Sequence, residues 1–172
     1  MKKVIVFKVE DVLVKDFNRE ASLKRARSIK KIGMTESEKV EWVDRKERDF
    51  YEKEFERSKF KGGIGEILKV LKGMKERFGV NLVFVTDHRK LSVERILWNN
   101  DWKDVDVESC DGNWLEKVLE DCGKSREDVI LFSNKQSDLE SGEELGIKVE
   151  NFSVESEGMN GFMGKLGLRM CA

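Results

Sequence analysis

The chain has 172 residues, enough for one domain with a real core and a small insert. Charged residues make up 39% of it yet nearly cancel, to a formal net charge of −1, which argues against a general nucleic-acid or membrane-surface binder. Three sparse cysteines without metal-type spacing fit a reduced, cytoplasmic protein, and no apolar run approaches membrane-spanning length.

Val4 to Phe7 is a run of β-branched and aromatic residues that reads as a buried central strand of a parallel sheet. The N-terminus is basic and then apolar, but charge returns at Lys8 too soon for a signal peptide. Glu10 to Val14 follows as a short turn or flap. From Asp16 the pattern becomes helical: Phe17, Ala21, Ser28, Ile29 and Ile32 share a narrow face, while Lys24, Arg25, Arg27, Lys30 and Lys31 dominate the rest. Gly33 reads as a C-cap, and Thr35 with Glu38 as a capping box for a second helix carrying Val40, Val43, Phe50 and Tyr51, with Trp42 and Phe55 near its edges. Residues 16 to 58 thus form a helical hairpin inserted after the first strand.

Ile64, Ile67, Leu68 and Leu71 mark an amphipathic helix, and Val80 to Val85 a second buried strand ending in Thr86-Asp87-His88. A helix over Ser92 to Asn99, a short strand at Val105 to Val107, and a helix through Trp114, Leu115, Val118 and Leu119 follow. The strand Val129 to Phe132 ends in Ser133-Asn134. A helix over Ser137 to Leu145 leads to a last strand, Ile147 to Val149, and the tail from Ser153 carries a helix ending near Leu166. This alternation predicts an α/β fold, a doubly wound parallel sheet with helices on both faces. Its core is residues 1–15 and 59–172, and its cap is the insert 16–58.

Open α/β sheets bind ligands at the C-terminal ends of their strands, where this chain places Lys8, Glu10, Asp11, Thr86, Asp87 and Asn134. A lysine and a glutamate directly after buried apolar sequence need a partner, a ligand or water. Thr86, with Asp87, fits a helix N-cap better than an anion contact at the strand end. His88, the single histidine, reads as a surface residue opening the next helix rather than as an acid or base.

The stretch Val4 to Val14 resembles the first motif of the haloacid dehalogenase-like phosphohydrolases, an apolar strand followed by Asp-x-Asp-x-Thr/Val-Leu. Phe7, Val12, Leu13 and Val14 fit that frame, and Thr86 fits the Thr or Ser that ends the second-motif strand. Asp138, Leu145, Gly146 and Ile147 fit the fourth motif. The resemblance implies an aspartate nucleophile, an acid/base aspartate, a phosphate-neutralising lysine and a magnesium ligand. Those positions hold Lys8, Glu10, Ser109 (with Cys110 beside it) and Asn134. All four depart together, so no catalytic set is intact.

An ammonium cannot serve as a carboxylate nucleophile, and it repels a dication. The expectation is therefore a closed site in which Lys8 replaces the metal ion and Glu10 and Asp138, with Asp87 near, balance its charge. Lys8, Glu10, Thr86, Asp87, Asn134 and Asp138 are the candidate ligand-binding residues, for a small phosphate-type anion. No metal or other cofactor is expected, magnesium entering only under the alternative, a divergent phosphomonoesterase. A partner protein would dock on the helical insert. Nucleic-acid binding through the basic helix 24–31 is the weakest reading, since such runs are more often solvated helix faces.

Overall fold

The computed structural model describes residues 3–15, 21, 24, 33, 35–57, 59–103 and 105–167. Strand β1 (Val4–Lys8) runs through the middle of a five-stranded sheet with β4 (Asn81–Thr86), β5 (Asp106–Ser109), β6 (Val129–Ser133) and β7 (Lys148–Asn151). The order is β5-β4-β1-β6-β7, and every neighbouring pair is parallel. An N-terminal strand at the centre of a parallel sheet is covered on both faces, which is why β1 is apolar without alternation.

Period two still divides its side chains. Ile5 and Phe7 join a core beneath helices α2 (Ile64–Phe78), α3 (Lys90–Trp98) and α6 (Val154–Lys165). Val4 and Val6 join a second core under α4 (Trp114–Cys122) and the end of α5 (Gln136–Glu144), near Leu145. In register, Phe7 stands beside Phe84 and Phe132, with ring centroids 5.9 and 5.0 Å apart, and Phe162 of α6 closes over them. The tight fit of α5 on the sheet depends on Gly142, where an added Cβ would lie 2.4 Å from a Val149 methyl.

After β1 the chain makes one wide helical turn, Val9–Leu13. It then forms a two-residue strand β2 (Val14–Lys15), antiparallel to β3 (Lys59–Phe60). Residues 16–58 leave and return through this ribbon. Of the insert, helix α1 (Glu36–Glu56) is described. Thr35 and Glu38 cap it reciprocally: the Thr35 amide donates to the Glu38 carboxylate at 2.8 Å, and the Glu38 amide to the Thr35 hydroxyl at 3.3 Å. The expected first arm of the hairpin, with the basic run 24–31, lies outside the described residues apart from Ala21 and Lys24.

Helix α1 packs against α3, the helix that starts beyond the Thr86-Asp87-His88 strand end. That helix begins at Lys90, two residues before the expected Ser92. Phe55, expected near an edge of α1, is fully buried in the first core. No helix among the described residues is long and apolar enough to cross a membrane.

Candidate functional site

The parallel register brings the C-terminal ends of β1, β4, β5 and β6 to one edge of the sheet. Lys8 is the last residue of β1 and points to the same side as Val4 and Val6. Its side chain is 1% exposed. Its ammonium lies 2.8 Å from Asp87 Oδ1 and 3.8 Å from Glu10 Oε2, and donates to the Cys110 thiol sulfur at 3.0 Å. Burial alone would lower the pKa of this lysine. The hydrogen bonds to Asp87 and Cys110 and the charge of Glu10 outweigh that and hold it above the ordinary lysine range.

Glu10 is placed by the turn after β1 so that one oxygen, Oε1, faces the end of β4. Thr86 donates its hydroxyl to it, and the Asp87 amide donates to it at 2.9 Å. The other oxygen, Oε2, is buried without a hydrogen-bond partner among the described residues and faces Lys8. Thr86 Oγ1 also accepts from the His88 amide at 2.9 Å, the N-cap geometry that the sequence allowed beside phosphate binding. Asp87 bridges two cations, with Lys135 Nζ 3.8 Å from its second oxygen. Burial would raise the Asp87 pKa, but the hydrogen bond and charge of Lys8, with Lys135 and His88 behind it, hold the carboxyl below its usual range.

Asp138 does not share in this. It is buried in the first turn of α5, where it accepts the Ser133 hydroxyl at 3.0 Å, and that hydroxyl in turn accepts from the Lys135 amide at 3.1 Å. The expected Lys8–Asp138 pairing is therefore corrected: Asp87 and Glu10 balance Lys8, because β4 and the turn after β1 reach the ammonium and α5 turns its carboxylate to its own strand end. Asn134 is an exposed residue just beyond β6. Ser109 ends β5 opposite Thr86, and Cys110 follows it. Burial, opposed by Lys8 and assisted by Asp87 and Glu10, pushes the Cys110 thiol up to about 12, so it stays protonated at neutral pH. Lys117 lies on the exposed side of α4, 3.7 Å from Glu108.

His88 corrects a second expectation. It is buried, not at the surface. Its ring stacks on Phe55 at a centroid distance of 3.5 Å and lies against Tyr51 at 4.8 Å. Nδ1 is 3.4 Å from the Glu52 carboxylate and Nε2 is 3.3 Å from the Tyr51 hydroxyl. The same Glu52 oxygen accepts from the Arg89 amide at 3.2 Å. Burial works to raise the Glu52 pKa, but His88, Ser92 and the Arg89 amide hold it below the ordinary value. One turn on, Glu56 takes Arg95 at 2.9 Å. Three residues of the insert helix therefore grip the residue next to Asp87. Glu52 carried no signal in the sequence, since nothing local marks a glutamate whose partners lie more than thirty positions away.

Magnesium, which the resemblance implies, does not fit this donor set. Lys8 brings a positive charge into contact with Asp87, Asn134 is neutral, and Asp138 is engaged by Ser133. Among the described residues no group of three or more His, Cys, Asp or Glu side chains is arranged to hold a metal ion.

No family model matches the chain. No curated protein is significantly similar to it in sequence. Solved structures are similar in fold. A haloacid dehalogenase-like family hydrolase from Streptococcus pneumoniae is 12% identical at a TM-score of 0.63, over 95% of this chain and 90% of that one. A HAD-superfamily hydrolase of subfamily IA, variant 1, from Geobacter sulfurreducens is 19% identical at 0.61, over 87% and 88%. CbbY from Rhodobacter sphaeroides, solved in complex with phosphate, is 13% identical at 0.61, over 93% and 92%.

Proposed function

Starting from the haloacid dehalogenase-like fold that this chain has, we propose that it has left phosphoester hydrolysis and acts by binding, either to a partner protein through the insert or to a small phosphate-type anion at the strand ends. One observation carries the reading: the nucleophile position holds the Lys8 ammonium, buried and paired with Asp87 and Glu10. Attack on phosphorus needs a free electron pair. A lysine held above its ordinary pKa range stays an ammonium near neutral pH and has none to offer. Where a dication would bridge carboxylates, the ammonium already neutralises them. The fold hosts chemistry only through its site, and here the side chains argue against the chemistry.

The second reading is a divergent magnesium-dependent phosphomonoesterase using Glu10, Asp11 or Asp87. The fold favours it, because two of the similar structures are of hydrolases and the third, CbbY, was solved with phosphate. A panel of phosphomonoesters with magnesium separates the two, run on wild type, Lys8→Ala and Lys8→Asp. The binding reading expects no turnover by wild type. Turnover by wild type that Lys8→Ala abolishes would overturn it and give Lys8 a catalytic role.

A further inference from the structure

A cleft of about 480 Å³ opens between the C-terminal half of α2 and the loop that joins α3 to β5. Helix α2 ends where β4 begins, and this loop ends where β5 begins. The cleft therefore lies at the N-terminal ends of the parallel strands, and the Lys8 cluster at their C-terminal ends. Its volume falls within the range of small-molecule sites, about 300–1,000 Å³.

The floor is apolar. Trp102 and Val105 line it, and both pack against the core shared with Phe84. The Trp102 ring meets Phe84 edge to face, with centroids 6.0 Å apart and 87° between the planes, so packing fixes an indole that is still half-buried at the cleft. The end of α3 fixes its backbone too. The Trp102 amide donates to the Leu97 carbonyl at 3.0 Å, with Asp101 between them in the left-handed region at φ 63°.

The rim is charged. Lys72, Lys75 and Glu76 share one face of α2 at i, i+3 and i+4, and Asp101 and Lys103 come from the loop. Among the described residues the side chains of Lys72, Glu76, Asp101 and Lys103 make no hydrogen bond or ion pair, although Lys72 and Glu76 stand four residues apart on the helix. Three ammonium groups against two carboxylates leave one surplus positive charge above an apolar floor. We propose that this cleft binds an aromatic monocarboxylate, its ring against Trp102 and Val105 and its carboxylate among the three lysines. One negative charge matches the surplus, whereas a second would face Glu76 and Asp101. A neutral ring would use the floor and leave the lysines idle. The site shares no residue with the strand ends or the insert and goes beyond the function proposed above.

The test is a titration of cinnamate into isotope-labelled wild-type protein, followed by NMR at the tryptophan indole N–H signals. Trp102→Phe assigns the signal of Trp102, and Trp98, 54% exposed on α3, reports adhesion to exposed rings. A saturable shift is expected at Trp102 with millimolar cinnamate, and none at Trp98. Cinnamyl alcohol, the same ring without the charge, is expected to bind about fivefold more weakly. Lys72→Gln/Lys103→Gln changes two exposed residues, so the fold is kept; it should weaken cinnamate about fivefold and leave cinnamyl alcohol unchanged. Absence of a saturable shift at Trp102 overturns the inference, as does an equal shift at Trp98. Cinnamyl alcohol binding as tightly as cinnamate, or a double variant that binds cinnamate like wild type, overturns it as well.

Discussion

Lys8 and His88 are buried at neighbouring strand ends and held in opposite ways. Among the described residues Lys8 is held by the core: Asp87 after β4, Glu10 after β1 and Cys110 after β5. His88 is held by the insert: Tyr51, Glu52 and Phe55, all from α1. The first grip is ionic and is completed by a thiol. The second is mostly aromatic stacking, with one carboxylate. The pair is linked through Asp87, which separates Thr86 from His88 in the chain. A change in the insert's grip on His88 is thus one residue away from the ion pair, whereas a change in the ion pair can leave α1 seated.

The largest way to break this contrast is Phe55→Ala. It empties a fully buried ring site under His88, and a loss of about 3–5 kcal/mol is expected in urea unfolding. Protease cleavage within α1 should rise in the same variant. Lys8→Met comes next. It strips the partner from two acidic groups, and the expected loss is about 3 kcal/mol, at the low end for a broken buried pair because Asp87 is half-exposed. A loss below about 1 kcal/mol would show that solvent already screens the cluster. Glu52→Gln keeps the shape but removes the charge beside His88 and Arg89 N, for about 2 kcal/mol. Lys135→Ala, an exposed partner of Asp87 at 3.8 Å, should change stability by less than about 0.5 kcal/mol.

Acid and alkali sharpen the same contrast. Asp87 and Glu52 have folded pKa values below their ordinary ones. Both therefore stabilise the fold at neutral pH, and that contribution is lost as pH falls through those depressed values. Cys110 works the other way. Its folded pKa is raised, so its contribution is complete below 9.0 and fades as pH climbs toward about 12. Lys8, also raised, adds its loss only above the ordinary lysine range. Alkaline unfolding should therefore begin at the Lys8 cluster, and Cys110→Ala should flatten the first part of that decline in a pH series of urea midpoints.

How far each grip was legible in the sequence follows from chain distance. The apolar run Val4 to Phe7 and the alternation after it are local patterns, and they anticipated a parallel sheet with its strand ends at one edge. The motif frame singled out Lys8, Glu10, Thr86 and Asp87 as neighbours, because strand ends in a parallel sheet meet whatever their separation in sequence. It misplaced the partner of Asp138, since a carboxylate in the first turn of α5 can turn either to the sheet's centre or back to Ser133, and helical spacing does not choose. The grip on His88 was invisible: a lone histidine beside aspartate looks solvated, and only the return of α1 over α3 buries it.

The central claim is that the Lys8 ammonium occupies the electrostatic role of a metal ion. A magnesium titration followed at the side-chain carboxyl carbons of Glu10, Asp87 and Asp138 by NMR tests it most directly. We expect no change at those carbons in wild type up to millimolar magnesium, and saturable shifts in Lys8→Asp. Saturable shifts at Glu10 and Asp87 in the wild-type protein would contradict the account.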